Sequence, residues 1–177
     1  MKSKKLILIV VVVVVFVALG WWFTRPASPS GKSSVSHNGL EVSVSYSRPY
    51  KKGRVIFGDA STGALQPYGQ YWRLGANAAT EITFNKDVVF AGAAVKAGTY
   101  RMYAVPGAQT WKVTLNSALG QSGAELPDQT LDVVSVEVPS NESSSVVDQF
   151  TIDFKTGGSG IVMELKWDRA LAAVEIS

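Results

Sequence analysis

From Leu40 to Ser47 the chain reads LEVSVSYS, with Leu40, Val42, Val44 and Tyr46 alternating with Glu41, Ser43, Ser45 and Ser47. A side-chain period of two sets the four apolar residues on one face of an extended strand; on a helix they would scatter around the axis. The pattern returns as far as the C-terminus. Glu81–Asn85 and Val88–Ala91 flank the turn Asn85-Lys86-Asp87 and are expected to pair as a hairpin. Thr99–Val105 stops at Pro106-Gly107, Trp111, Val113 and Leu115 alternate in the next strand, and Leu131–Val138 is closed by Pro139. Phe150, Ile152 and Phe154 form one apolar face, and Ile161, Met163, Leu165 and Trp167 form another beyond the KTGGSG hairpin loop. Ala172, Val174 and Ile176 make a last short strand. About nine strands at this spacing, with no amphipathic helix among them, predict an all-β fold, a single antiparallel β-sandwich in preference to a closed barrel.

The N-terminus obeys a different rule. Leu6–Phe23 is a run of 18 residues without a charge. As a helix it would span roughly 27 Å, close to the hydrocarbon thickness of a bilayer. Lys2, Lys4 and Lys5 precede the run and only Arg25 follows it closely, which keeps the N-terminus cytoplasmic and sends the rest to the periplasm or outside the cell. Trp21 and Trp22 fall where indoles favour the far interface. The competing reading is a cleaved signal peptide, with Ala18 and Gly20 as the small residues near the cut. Two tryptophans would then open the mature chain, and the run is long for a signal core, so a retained single-pass anchor is preferred. Either way the domain is exported. The expected organisation is an anchor over 1–23, a flexible Pro/Ser/Gly linker over 24–37 (TRPASPSGKSSVSH) and a strand domain over 38–177.

Composition removes several functions. There is no cysteine, so neither a disulfide scaffold nor lipidation at an N-terminal cysteine is possible. The formal net charge of +3 comes from the anchor and its flanks: beyond Arg25, 13 basic residues face 14 acidic ones, which offers nucleic acid no clustered positive field. The single histidine, His37, closes the polar linker, so no His/Cys metal set and no catalytic triad is expected, and no cofactor is implied. Asp153, Glu164 and Asp168 fall on the polar phase of their strands and are expected on a solvated sheet face rather than as a glycosidase-like carboxylate pair.

What remains is basic and aromatic. YSRPYKKGRVIFGD (Tyr46–Asp59) carries Arg48, Lys51, Lys52 and Arg54 against one acid, and PYGQYWRLGAN adds Tyr71, Trp72, Arg73 and Asn77. Guanidinium forks beside aromatic rings suit an anion or a sugar, with Arg48, Arg54 and Arg73 as donors and Trp72 as a stacking face. The candidate ligand-binding residues are therefore Tyr46, Arg48, Lys51, Arg54, Tyr71, Trp72, Arg73 and Asn77. The same residues equally suit a purely structural corner, in which Trp72 is core and the arginines tie loops to the sheet.

YSRPYKKGRVIFGD, LQPYGQYWRLGANAATEITFNKDV, VKAGTYRMYAVPG and the closing FTIDF and MELKWD together resemble the bacterial DUF2911 family. The resemblance covers nearly all of the expected domain. It implies an exported β-rich domain and no activity, so there are no catalytic residues to carry over. DASTGA lengthens the loop before Leu65, and an anchor stands where a plain signal peptide is usual in the family. Three functions follow in order of preference: an anchored extracytoplasmic module binding an anionic or carbohydrate-like ligand through the loops around 46–77, an accessory subunit docking an envelope protein, and a carboxylate-dependent hydrolase.

Overall fold

The computed structural model describes residues 28–177 other than Ser159, together with Val13 and Val14. Apart from those two valines the expected membrane span lies outside the described residues, among which no helix is long and apolar enough to cross a membrane. The remainder is all-β, interrupted by two 3₁₀ turns. The strands are β1 (Ser30–His37), β2 (Leu40–Ser47), β3 (Phe57–Gly58), β4 (Gln66–Pro67), β5 (Thr80–Phe84), β6 (Val88–Phe90), β7 (Ala93–Val95), β8 (Gly98–Pro106), β9 (Thr110–Asn116), β10 (Asp132–Gly157) and β11 (Gly160–Ile176). Nine of them form one antiparallel sheet in the order β1-β2-β5-β8-β9-β10-β11-β6-β7, while β3 and β4 make a small parallel pair.

One sheet in place of two is a departure from the expected sandwich, and β10 explains it. Expected as two separate strands, it is one strand of 26 residues. Its first part, Asp132–Pro139, pairs with β9, and its second part pairs with β11. Pro139 sits at the handover, where the ladder to β9 runs out. The register to β11 then slips between Glu142 and Val147 and again between Val147 and Thr151. Such bulges bend a strand and increase its twist, so the sheet turns over on itself and its two halves share a core. The Tyr46 ring meets Phe150 edge-on with centroids 5.6 Å apart, and Phe84 meets Phe90 at 6.2 Å.

Three further expectations are corrected. The linker assigned to 24–37 is β1 from Ser30 onward, paired residue for residue with β2 through a turn at Asn38-Gly39. Serine and glycine side chains bury little, so this strand is held by its ladder and leaves no apolar signature in the sequence. The hairpin expected from Glu81–Asn85 and Val88–Ala91 does not form: β5 pairs with β2 and β8, whereas β6 pairs with β7 and β11. The short turn carries the chain from one half of the folded sheet to the other. Glu164, expected on a solvated face, is only 6% exposed and lies between Lys155 and Lys166. Burial raises its pKa, but hydrogen bonds from the two lysines outweigh that and hold the carboxyl below its ordinary value.

The centre of the core is aromatic. Trp72, Trp111, Trp167 and Phe150 are all 1% exposed or less. Trp72 stacks on Trp167 with centroids 5.9 Å apart, and meets Phe150 at 4.9 Å and Trp111 at 5.5 Å edge-on. Half-buried Phe57, on β3, closes the cluster from outside.

Candidate functional site

β2 ends at Ser47, and Pro49 forces the residue before it to stay extended. The chain therefore runs on beside β10: the Phe150 N–H donates to the Pro49 carbonyl at 2.9 Å and Lys51 N–H to that of Asp148 at 2.6 Å. It reverses at Lys52 and Gly53, both with positive φ. The Arg54 guanidinium folds back and donates to the carbonyls of Tyr50 and Lys51, the second of which also accepts the turn's own bond from the Arg54 N–H. Residues 71–74 then keep a period of two. Trp72 exchanges backbone bonds with Ala104 at 2.8 and 2.9 Å; its ring and the Leu74 side chain are buried, while Tyr71 and Arg73 face outward.

Directly afterwards the backbone is strained. Leu74 has φ 51° although it is fully buried, and Asn77 has φ 58°. Non-glycine residues hold such angles only where their surroundings over-determine them. Here the Thr80 hydroxyl donates to the Leu74 carbonyl at 2.7 Å, and the Asn77 amide side chain donates to the Ser28 carbonyl at 3.3 Å. Gly75 (φ 145°) passes so near β2 that a Cβ would lie 2.6 Å from the Ser47 carbonyl, so no other residue fits there.

Between these segments lies a cleft of about 360 Å³. Lys52, Arg54 and Arg73 line it together with Tyr71 and Gln66, and Trp167 contributes to its floor. No aspartate or glutamate lines it among the described residues. Arg73 forms no ion pair among the described residues, and its stem lies across Gly123, where a Cβ would come within 2.7 Å of it. The buried Nε1 atoms of Trp167 and Trp72 have no hydrogen-bond partner there either. A groove of about 390 Å³ on the outer face of β1, β2 and β5 is different in kind: Lys32 and Glu41 cancel among serines and Thr83.

Three of the eight sequence candidates, Arg54, Tyr71 and Arg73, thus meet at one cavity. Asn77 stands at its rim through Ser28. The other four are occupied with the fold. Tyr46 is buried, its hydroxyl accepting from the Ile152 N–H at 3.0 Å. Arg48 donates to the Phe150 carbonyl at 3.3 Å and the Thr151 hydroxyl at 3.0 Å, extending the bonds that the 49–51 backbone makes to this edge of β10. Lys51 is ion-paired with Asp168, whose positive φ marks the bend of β11. Trp72 is core and offers no stacking face. Sequence reasoning missed the contribution of Lys52, the other lysine of the KKGR run, because nothing local says which of the two has an acidic partner. It also missed Gly123 and Ala124, which reach the cleft from a loop 50 residues downstream of Arg73.

A family model described as "Protein of unknown function (DUF2911)" matches residues 28–176. The chain belongs to the DUF2911 family. No curated protein and no solved structure matches it. The family match begins two residues before β1, which places that strand inside the DUF2911 domain.

Behind Tyr71 the domain holds a second polar cluster that the sequence did not suggest. Arg101 on β8 is 2% exposed. It donates to the Tyr71 hydroxyl at 2.8 Å and the Glu125 carbonyl at 2.6 Å, while its Nε is unpartnered among the described residues. The Tyr71 hydroxyl in turn donates to the Gly123 carbonyl at 3.0 Å. Two residues along β8, the Tyr103 hydroxyl donates to the Asp132 carboxylate, which also accepts from Asn116 at 2.8 Å. The loop from Ser117 to Asp128 is therefore tied down by polar bonds, and it supplies one wall of the cleft. Burial, then the hydrogen bond and negative charge of Asp132, push the Tyr103 pKa up to about 12. A raised pKa stabilises the folded state fully below the unfolded value of 10.0, and the contribution is lost as pH climbs towards about 12. Native protein should accordingly lose stability across that window, and Tyr103→Phe should flatten the loss. Denaturant midpoints measured against pH check this, and identical profiles for the two proteins would refute it.

Proposed function

We propose that this DUF2911 domain is a binding module that holds a small anion in the cleft of Lys52, Arg54 and Arg73, on the far side of a membrane to which its N-terminal run anchors it. One observation carries the reading: three cationic side chains line a single concavity with no lining carboxylate among the described residues. Cations gathered at a partly desolvated site attract an anion far more strongly than cations spread over a surface. Arginine adds a planar pair of donors matched to carboxylate or phosphate oxygens. The strained 74–77 segment and the bonded Tyr71–Gly123 wall hold the site before a ligand arrives, which reduces the ordering cost of binding. A sugar is recognised here through its charged groups, since Trp72 is withdrawn into the core. No carboxylate among the described residues lines this cleft, so the paired acids of glycoside hydrolysis find no support there.

Titration of the full-length protein with inorganic phosphate tests the reading by calorimetry. Binding is expected to weaken as salt rises and to weaken about tenfold or more in Arg73→Ala, the loss of one charge-assisted contact. If Arg73→Ala and Lys52→Ala both bind phosphate as the native protein does, or the native protein binds none, the cleft is not an anion site.

A further inference from the structure

We infer that the anion this cleft takes is the phosphate-bearing headgroup of an anionic phospholipid in the membrane that carries the anchor; the inference rests on the anion-binding reading above. The apolar run ends at Phe23, and Ser28 already lines the cleft. The point where the chain joins the domain is clamped at the cleft's rim. Asn77 donates to the Ser28 carbonyl at 3.3 Å, and the Arg48 N–H donates to the Pro29 carbonyl at 2.8 Å. Ser28 lies five residues beyond Phe23. Even fully extended, that length of chain reaches no more than about 18 Å. A chain anchored at Phe23 therefore holds Ser28, at the rim of the cleft that Lys52, Arg54 and Arg73 line, within about 18 Å of the end of the apolar run, in reach of the headgroup layer.

Charge along the chain agrees with such a neighbour. No acidic residue occurs before Glu41, and the connector itself contributes Arg25. A cationic concavity facing a negatively charged surface within a short reach is attracted to it, whereas a soluble anion at that height would compete with the lipid phosphates. The shared chemistry is a phosphate oxyanion seated between guanidinium forks and an ammonium. Free phosphate satisfies the same donors, so the two sources must be separated by experiment.

The full-length chain is reconstituted into nanodiscs of phosphatidylcholine alone and of phosphatidylcholine mixed with phosphatidylglycerol. Amide hydrogen exchange is followed at residues 73–77 and 123–124, with and without inorganic phosphate. Headgroup capture predicts slower exchange in the anionic discs before any phosphate is added. It also predicts an apparent affinity for phosphate about fivefold or more weaker there than in phosphatidylcholine discs, and loss of both differences in Arg73→Ala and Lys52→Ala. Equal phosphate affinity in the two disc types, with no protection from phosphatidylglycerol, overturns the headgroup assignment and leaves the anion site standing. No response to phosphate in either disc overturns both. Protection by phosphatidylglycerol that survives both substitutions, or a chain that does not insert into discs, also overturns the headgroup assignment.

Discussion

Truncating Trp72 to alanine should destabilise the domain by about 3–5 kcal/mol, the usual cost of deleting a fully buried large aromatic side chain. The ring is 1% exposed and touches Trp111, Phe150, Trp167 and Phe57, so its loss opens a void at the point where both halves of the folded sheet meet. Its backbone bonds to Ala104 keep the segment in place, so neighbours cannot simply collapse into the gap. For a domain of this size such a loss should lower the thermal midpoint by about 10 °C or more. Equilibrium denaturation of the two proteins measures it. A W72A protein within about 1 kcal/mol of native would place the ring outside the core's centre, because small effects belong to surface positions.

Arg48→Ala is expected to cost about 2–3 kcal/mol, and Arg73→Ala less than about 0.5. The two arginines look alike in the sequence, but their partners differ. Arg48 donates to the Phe150 carbonyl and the Thr151 hydroxyl, so removing it leaves acceptors on the half-covered edge of β10 without a donor. Arg73 has no ion-pair partner among the described residues to lose, and its charge is relieved when it goes from a cleft shared with Lys52 and Arg54. Paired denaturation and phosphate-binding measurements separate the roles: R48A should melt early and R73A should bind weakly. A reversal, with R73A melting several degrees low while binding as native, would make Arg73 the structural residue and remove the main support for an anion site.

The difference between these arginines also shows how far local sequence reaches. Arg48 and Lys51 stand in a basic run that suits a ligand, yet they bond residues 102 and 117 positions away. Nothing near them in the chain names Phe150 or Asp168. Trp72 and Arg73 were partly legible, since a period of two must send one of two adjacent side chains inward. Which of them turned inward depended on the backbone bonds of Trp72 to Ala104, a partner 32 residues on. Tyr71 was named for its ring but acts through its hydroxyl, between Arg101 and Gly123. Arg101 gave no warning at all: it sits on the polar phase of β8 and is buried where Tyr71 and the Glu125 carbonyl of the 117–128 loop meet its guanidinium.

Alternation alone determined that this is an all-β chain and which apolar side chains of its patterned strands turn inward, and the sequence of Tyr46–Asn77 by itself concentrates cations and aromatics. Those are properties of a residue and its near neighbours, and the pleat reads them directly. The tertiary structure alone decided that the strands form one sheet bent at β10, that Ser30–His37 pairs as an edge strand, and that Lys52, Arg54 and Arg73 share a cavity while Arg48 and Lys51 do not. Each of those depends on contacts between segments remote in the chain, where backbone hydrogen bonds carry no side-chain signature and the partner of a charge is chosen by topology.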